Sequence, residues 1–196
     1  MKTQRYTLPV FPIPVFLLPE GITRLRIFEP RYLKMVSIAM KEQGFIIYCN
    51  TQQTKLNDNK NVMLWGSWVK VINFNQAEDG ILEIDVKCKS LVNIHSLNKN
   101  KDNLFFADVT TLTHWSTDKP QVLNNELGGL TQSLRKLIKT NKLLDELYPK
   151  IADNNDVWVI SRWLEFLPLE QTIKPIFIQQ YSFEQAKDFV QSIVQQ

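Results

Sequence analysis

Over roughly the first 115 residues, apolar positions tend to alternate with polar ones; after that they recur at every third or fourth place. Alternation sends side chains to opposite faces of a strand, whereas the wider spacing lines one face of a helix. The pattern predicts β-structure first and helices afterwards. Leu8 to Leu18 is the exception, an apolar run broken by Pro9, Pro12 and Pro14 and followed by Pro19. Each proline fixes φ and removes a backbone donor, so no helix runs through, and the residue before each is pushed toward extended backbone. A strand, a stiff apolar connection and a turn at Glu20-Gly21 follow. Arg24 to Phe28 alternates as a half-buried strand would. Pro30 suits the first turn of a helix and Gly44 its exit, with Tyr32, Met35, Val36, Ala39 and Met40 on one apolar face.

Phe45 to Tyr48 reads as a compact strand, and residues 50–61, rich in Asn, Gln and Lys, as an exposed loop or extended hairpin. Val62–Trp65 and Trp68–Phe74 read as strand segments flanking Gly66-Ser67. Asp79-Gly80 signals a hairpin before the strictly alternating Leu82–Lys89. Leu91 to Ile94 prolongs or follows that strand, 98–103 is a polar turn, and Phe105, Ala107 and Val109 mark a last strand. Leu123, Leu127, Leu130, Leu134 and Leu137 then define a helix with Gly128-Gly129 weakening it from within. Leu143, Leu144 and Leu147 suggest a short helix stopped near Pro149. Asp153 to Asp156 offers caps for a helix with Val157, Ile160, Leu164 and Leu167 on one face, closed by Pro168. Pro175 starts or interrupts the next one. Ser182 with Gln185 fits a capping box for a final amphipathic helix.

Composition narrows the class. A chain of 196 residues, 44% hydrophobic, can bury a core as one domain or two lobes. The net charge of +3 is too small to imply nucleic acid, and it divides as +4 over residues 1–115 and −1 over 116–196. The prolines interrupt any signal-peptide h-region after Lys2 and Arg5, and no apolar run approaches membrane-spanning length. Cys49 and Cys88 suit a reducing cytoplasm better than a disulfide scaffold, with Cys88 facing inward beside Leu82, Ile84 and Val86. Those thiols, His95 and His114 lack the short spacing of a zinc site, so no metal or other cofactor is expected.

No nucleotide phosphate loop and no G-x-S-x-G elbow occurs. Glu83, Asp85 and Lys87 alternate with apolar strand residues and read as a solvated face rather than acid/base machinery. Glu29 stands before Pro30, where its charge favours the positive helix end. Arg31 is placed to pair with a β-lobe carboxylate and pack on Tyr32. Trp158 and Trp163 read as helix packing, and Trp65 and Trp68, beside a glycine, as a partly exposed apolar patch.

Leu8-Pro9-Val10-Phe11-Pro12-Ile13-Pro14, Leu18-Pro19-Glu20-Gly21 and Leu25-Arg26-Ile27-Phe28-Glu29-Pro30-Arg31-Tyr32 together resemble the start of the LON substrate-binding domain, the N-terminal domain of ATP-dependent Lon proteases. Gly66-Ser67-Trp68-Val69-Lys70-Val71 and the Asp79-Gly80 hairpin resemble a later part of it. Asp156-Val157-Trp158, Leu164 and Phe166-Leu167-Pro168-Leu169 are similar to the helical part of longer members. The polar 50–61 loop and the bulk of Trp65 and Trp68 depart from the family pattern. The serine–lysine motif that Lon proteases carry in a separate C-terminal domain is missing.

The resemblance implies an α+β protein, with a β-rich PUA-like pseudo-barrel lobe over 1–115 that includes one helix near 30–43. A helical lobe over 116–196 follows, the two making one stand-alone LON-type substrate-binding domain. It implies a non-catalytic, cytoplasmic binder of polypeptide clients that works with a protease or chaperone. Trp65, Trp68, Phe28, Arg31 and Tyr32 are the expected contact residues, at a sheet edge or an apolar groove. An RNA-binding module of PUA-like fold is the alternative, disfavoured because basic and aromatic residues do not concentrate in one segment. A hydrolase without a recognisable motif is the second.

Overall fold

The computed structural model describes residues 4–48, 64–115, 127–170 and 172–194. Contacts divide the chain into a β-rich unit, Met1–Pro19 with Thr23–Leu112, and a helical unit, Glu20–Ile22 with Thr113–Gln196. The α+β class holds. Cys49, the 50–61 loop, Val62 and Leu123 fall outside the described residues.

The β-rich unit contains β1 (Arg5–Pro12), β2 (Ile22–Ile27), α1 (Pro30–Lys41), β3 (Phe45–Tyr48), β4 (Trp65–Gln76), β5 (Leu82–Lys99) and β6 (Phe105–Leu112). Its sheet runs β2-β5-β4-β3-β1-β6 and closes on itself through β5–β6. β1 and β3 pair in parallel, whereas β1–β6, β3–β4, β4–β5 and β5–β6 pair antiparallel. Five strands thus form a ring, with β2 attached outside it to β5. Leu8, Val10, Ile46, Trp68, Val92, Ile94, Ala107 and Val109, from all five ring strands, make one apolar cluster. The alternate residues Phe11, Phe45, Ile47, Val69, Ile84 and Val86 join Leu25 and Ile27 of β2 and Tyr32, Met35, Val36 and Ala39 of α1 in a second. The ring strands are therefore apolar on both faces, as strands buried on both faces must be.

Two readings merge here. Trp65 and the Trp68–Phe74 segment lie on one strand that runs through Gly66-Ser67, and Leu82–Lys89 runs on to Lys99 as a single strand of 18 residues. Gly66 has no room for a side chain: a Cβ would sit 2.6 Å from Ile46 Cγ2 and 2.9 Å from Ile47 O. Ser67 donates to Leu17 O at 2.5 Å and ties the proline-rich connection to the sheet. Gly44 leaves α1 at φ +99, donating its N–H to Ala39 O at 3.1 Å.

The helical unit holds α2 (Gly128–Thr140), α3 (Lys142–Leu147), α4 (Asp156–Phe166), α5 (Lys174–Phe177) and α6 (Phe183–Val194). Gly128-Gly129 opens α2 rather than weakening its interior. Asn141 and Asn155 cap α3 and α4 by accepting from Leu144 N–H at 3.1 Å and Trp158 N–H at 3.0 Å. The expected amphipathic α4 is instead buried on every side from Asp156 to Leu164, Trp158 and Trp163 included. A helix at the centre of its unit needs no polar face. Pro175 starts α5. Ser182 turns its hydroxyl back to Gln179 O at 2.8 Å.

The Glu20-Gly21 turn belongs to this unit. Tyr148 Oη accepts from Ile22 N–H at 2.7 Å and donates to Ile22 O at 3.1 Å. Gly21 lies against the Glu165 carboxylate, where a Cβ would collide with it. That carboxylate is held by the buried Arg162, with Nε–Oε2 at 2.7 Å and Nη2–Oε1 at 2.8 Å.

Candidate functional site

The five expected contact residues separate by burial. Trp68 is fully buried in the ring, with its indole N–H donating to Gln43 O at 2.7 Å and Tyr6 4.7 Å away. The bulk that suggested a contact surface fills the core instead, so Trp68 is not part of an exposed patch. Tyr32 is likewise buried, packed edge-on against Phe11 at 4.5 Å. Burial raises its hydroxyl pKa, against a smaller lowering by Arg31. Trp65 is half-buried, with Phe16 edge-on at 5.8 Å. Arg31 pairs with Glu29, a carboxylate of the same β-rich unit, at 2.7 Å and lies 4.7 Å over the Tyr32 ring. Glu29 occupies the N-cap position of α1, but its side chain makes no capping hydrogen bond. Phe28 alone stands well out of the surface, 68% exposed at the end of β2.

A second exposed apolar feature lies where β4 and β5 leave the ring. β3 pairs with β4 only over Ser67–Val69, whereas β5 follows β4 to its end at Gln76. Among the described residues, the far edge of β4 from Lys70 onward therefore has no strand beside it. Ile72 to Gln76 are all exposed. A register shift between Val71 and Asn73 makes Ile72 the extra residue of a bulge.

Direct pairing places Phe74 and Gln76 on the same face as Ile84 and Leu82, and Asn73 and Asn75 on the other with Asp85 and Glu83. The two faces differ in chemistry. One carries a shallow depression of about 390 Å³ floored by Phe74 and Leu82. The other carries one of about 470 Å³ bordered by Arg26, Glu78, Asp79 and Glu83. Asn75 and Gln76 border both.

On the charged face, the expected solvation of Asp85 gives way to a buried pair. Arg24 Nε lies 2.7 Å from Asp85 Oδ1 and Nη2 3.1 Å from Oδ2, and Asn73 donates to Oδ2 at 3.2 Å. Burial requires such partners, and β2 supplies the arginine. Arg26, two residues on, pairs with Asp79 and lies 3.7 Å from Glu83. The Ile81 N–H, and after it Arg26, hold Asp79 below the usual carboxylate range.

Sequence reasoning drew the hairpin of this arm but missed its bulge and free edge, though these left a trace. Val69 and Val71 alternate in one phase and Ile72 and Phe74 in the next, and the adjacent pair Val71-Ile72 marks the slip that becomes the bulge. Among the described residues, no three His, Cys, Asp or Glu side chains are grouped to hold a metal ion, and no helix is long and apolar enough to cross a membrane.

The family model of the ATP-dependent protease La (LON) substrate-binding domain matches residues 7–177. The fold is similar to that of a Lon N-terminal domain protein from Xanthomonas campestris, with TM-score 0.66 and 21% identity over 96% of this chain and 98% of that one. It is also similar to the N-terminal domain of a Mycobacterium avium complex Lon protease, with TM-score 0.58 and 10% identity over 95% and 97%. No curated protein matches the chain.

Proposed function

Because the chain belongs to the LON substrate-binding domain family, we propose that it is a non-catalytic binder of polypeptide, capturing apolar segments that native proteins keep buried. The observation supporting this reading is the set of large apolar side chains left outside a well-filled core in the β-rich unit: Phe28, Leu33, Met40, Ile72 and Phe74. Exposed apolar side chains beside an unpaired sheet edge offer non-native polypeptide both kinds of contact it can make, side chain and backbone.

Phe28, Arg31 and Trp65 remain contact candidates in this reading, with Tyr32 supporting Arg31 from beneath. The setting is a reducing cytoplasm, and the partner a protease or chaperone that receives the captured client. The purified protein should leave casein intact in the presence of ATP; cleavage that co-purifies with it would overturn the non-catalytic assignment.

The binding test compares one client in two states. A reduced, carboxymethylated protein should bind and its native form should not, because only the former presents extended backbone together with apolar side chains. Replacing Phe28 by Ser should weaken binding while leaving the circular dichroism spectrum unchanged. Equal binding of the two client states would defeat the reading. Binding of RNA at low salt that falls steeply as salt is added would favour the nucleic-acid alternative.

A further inference from the structure

We propose that the free edge of β4 from Ile72 to Gln76 accepts an extended polypeptide as an added strand, selecting segments in which apolar residues alternate with basic ones. The proposal rests on the polypeptide-binding reading above and narrows it to a class of segment.

The geometry begins with the unpaired backbone. β5 satisfies one side of β4 through Gln76, and β3 stops at Val69 on the other. Natural edges are commonly blunted by charge, proline or a bulge. Here Lys70 and the bulge at Ile72 protect the part nearest the ring, whereas Phe74, Asn75 and Gln76 carry neither charge nor proline. An added strand would lie about 4.8 Å from β4 and send successive side chains to opposite faces.

The two faces then set the side-chain preference. On the first, Phe74 and Leu82 offer apolar surface beside the rim of the core. On the second, Glu78, Asp79 and Glu83 set three carboxylates against the single guanidinium of Arg26. Arg26 is already engaged by Asp79 and Glu83. The Arg24–Asp85 pair is internally balanced, and Asn73 and Asn75 are neutral. Lys70 and Lys87 add positive charge to this face nearer the ring, but at the turn end the excess is negative, so a lysine or arginine of the added strand is favoured there and an acidic residue repelled. Because the strand period is two, an apolar residue over Phe74 obliges its neighbour to face the carboxylates. The alternation in the ligand follows from the alternation in β4.

Fluorescence anisotropy with three short labelled peptides tests this: alternating valine and lysine, alternating valine and glutamate, and alternating serine and lysine. At low salt the valine–lysine peptide should bind about tenfold tighter than either control, a difference of about 1.4 kcal/mol. Phe74→Ser and Glu78→Lys, both at exposed positions, should each weaken it severalfold with native circular dichroism. Methylating alternate backbone nitrogens of the peptide should abolish binding in one phase and spare it in the other, because an added strand uses only one edge.

Equal binding of all three peptides, no binding of any, or indifference to both substitutions would overturn the proposal. So would a concentration-dependent dimer of the protein that both substitutions dissolve, since the occupant would then be a second copy. A carboxymethylated client bound equally by wild type and both variants would overturn the edge while sparing general capture. Loss of client binding with retention of the valine–lysine peptide would overturn general capture alone.

Discussion

Trp65 to Val69 and Lys70 to Gln76 lie on one strand and share one partner, β5, yet they meet different surroundings. In the first stretch β3 pairs on the other side, α1 and the ring interior fill the two faces, and Gly66 lies against Ile46. In the second the neighbouring strand is gone, and five consecutive residues are exposed. Local propensity does not separate them, since both mix β-branched or aromatic residues with small or polar ones. What separates them is how many elements pack on each. A strand held on both edges and both faces provides stability, whereas a strand held on one edge keeps backbone groups available for a partner.

The largest expected effect tests that contrast directly. Trp68→Ala empties the ring interior and removes the hydrogen bond to Gln43, and should cost about 3–5 kcal/mol. Phe74→Ser touches a residue already half in water and should cost less than about 1 kcal/mol. Urea unfolding of the two variants measures both. Similar losses would mean that the arm packs as tightly as the ring, and the contrast would fail.

A second, smaller effect sharpens the comparison within β2. Arg24 and Arg26 lie on one face and each meets a carboxylate, but the Arg24–Asp85 pair is 19% and 9% exposed while the Arg26–Asp79 pair is 51% and 52% exposed. Asp85→Ala strips the half-buried Arg24 guanidinium of its charged partner and should cost about 1.5–3 kcal/mol. Asp79→Ala should cost about 0–1 kcal/mol, because solvent screens the exposed pair. If high salt weakened the first pair as much as the second, Asp85 would be solvated after all.

Much of the architecture was legible because it rests on local rules. The prolines of the first strand and connection, Pro30 and Gly44 at the ends of α1, and the Asp79-Gly80 hairpin all act through the residue that carries them. The misjudged residues are those decided by distant partners. Trp68 is buried because five strands close around it, and Asp85 because an arginine 61 residues earlier in the chain reaches it. α4 lost its expected polar face because residues distant in sequence, including those of α2 and α6, pack on it. The candidate site was the least legible part. Its free edge exists because β3 begins only at Phe45, opposite Val69, and no residue of β4 records where β3 begins. Only the Val71-Ile72 phase slip was written locally.

The smallest effect concerns a single ring in the helical unit, and it carries the same contrast between satisfied and unsatisfied polar groups to a proton. His114 is held by one hydrogen bond, Nε2 to Phe177 O at 2.8 Å, and stacks on Trp115 at 4.4 Å. Its Nδ1 is buried without a hydrogen-bond partner among the described residues. The neutral ring with its hydrogen on Nε2 fits this site, whereas a second N–H would be buried unpaired. Burial accordingly lowers the His114 pKa below the ordinary value near 6.5, with the Phe177 carbonyl opposing more weakly. The sign follows from linkage: below about pH 6.5 the unfolded chain takes up a proton that the folded chain resists, so stability is full above that pH and declines as pH falls toward the folded pKa. Asp79, Asp102 and Asp108 are held below the usual carboxylate range and stay ionised through this interval. Urea midpoints should therefore drop modestly between pH 7 and pH 5.5, and His114→Gln, which keeps a donor but cannot be protonated, should flatten that part of the profile. An equally steep profile in the variant would show that another group is responsible and that the ring accommodates its second proton.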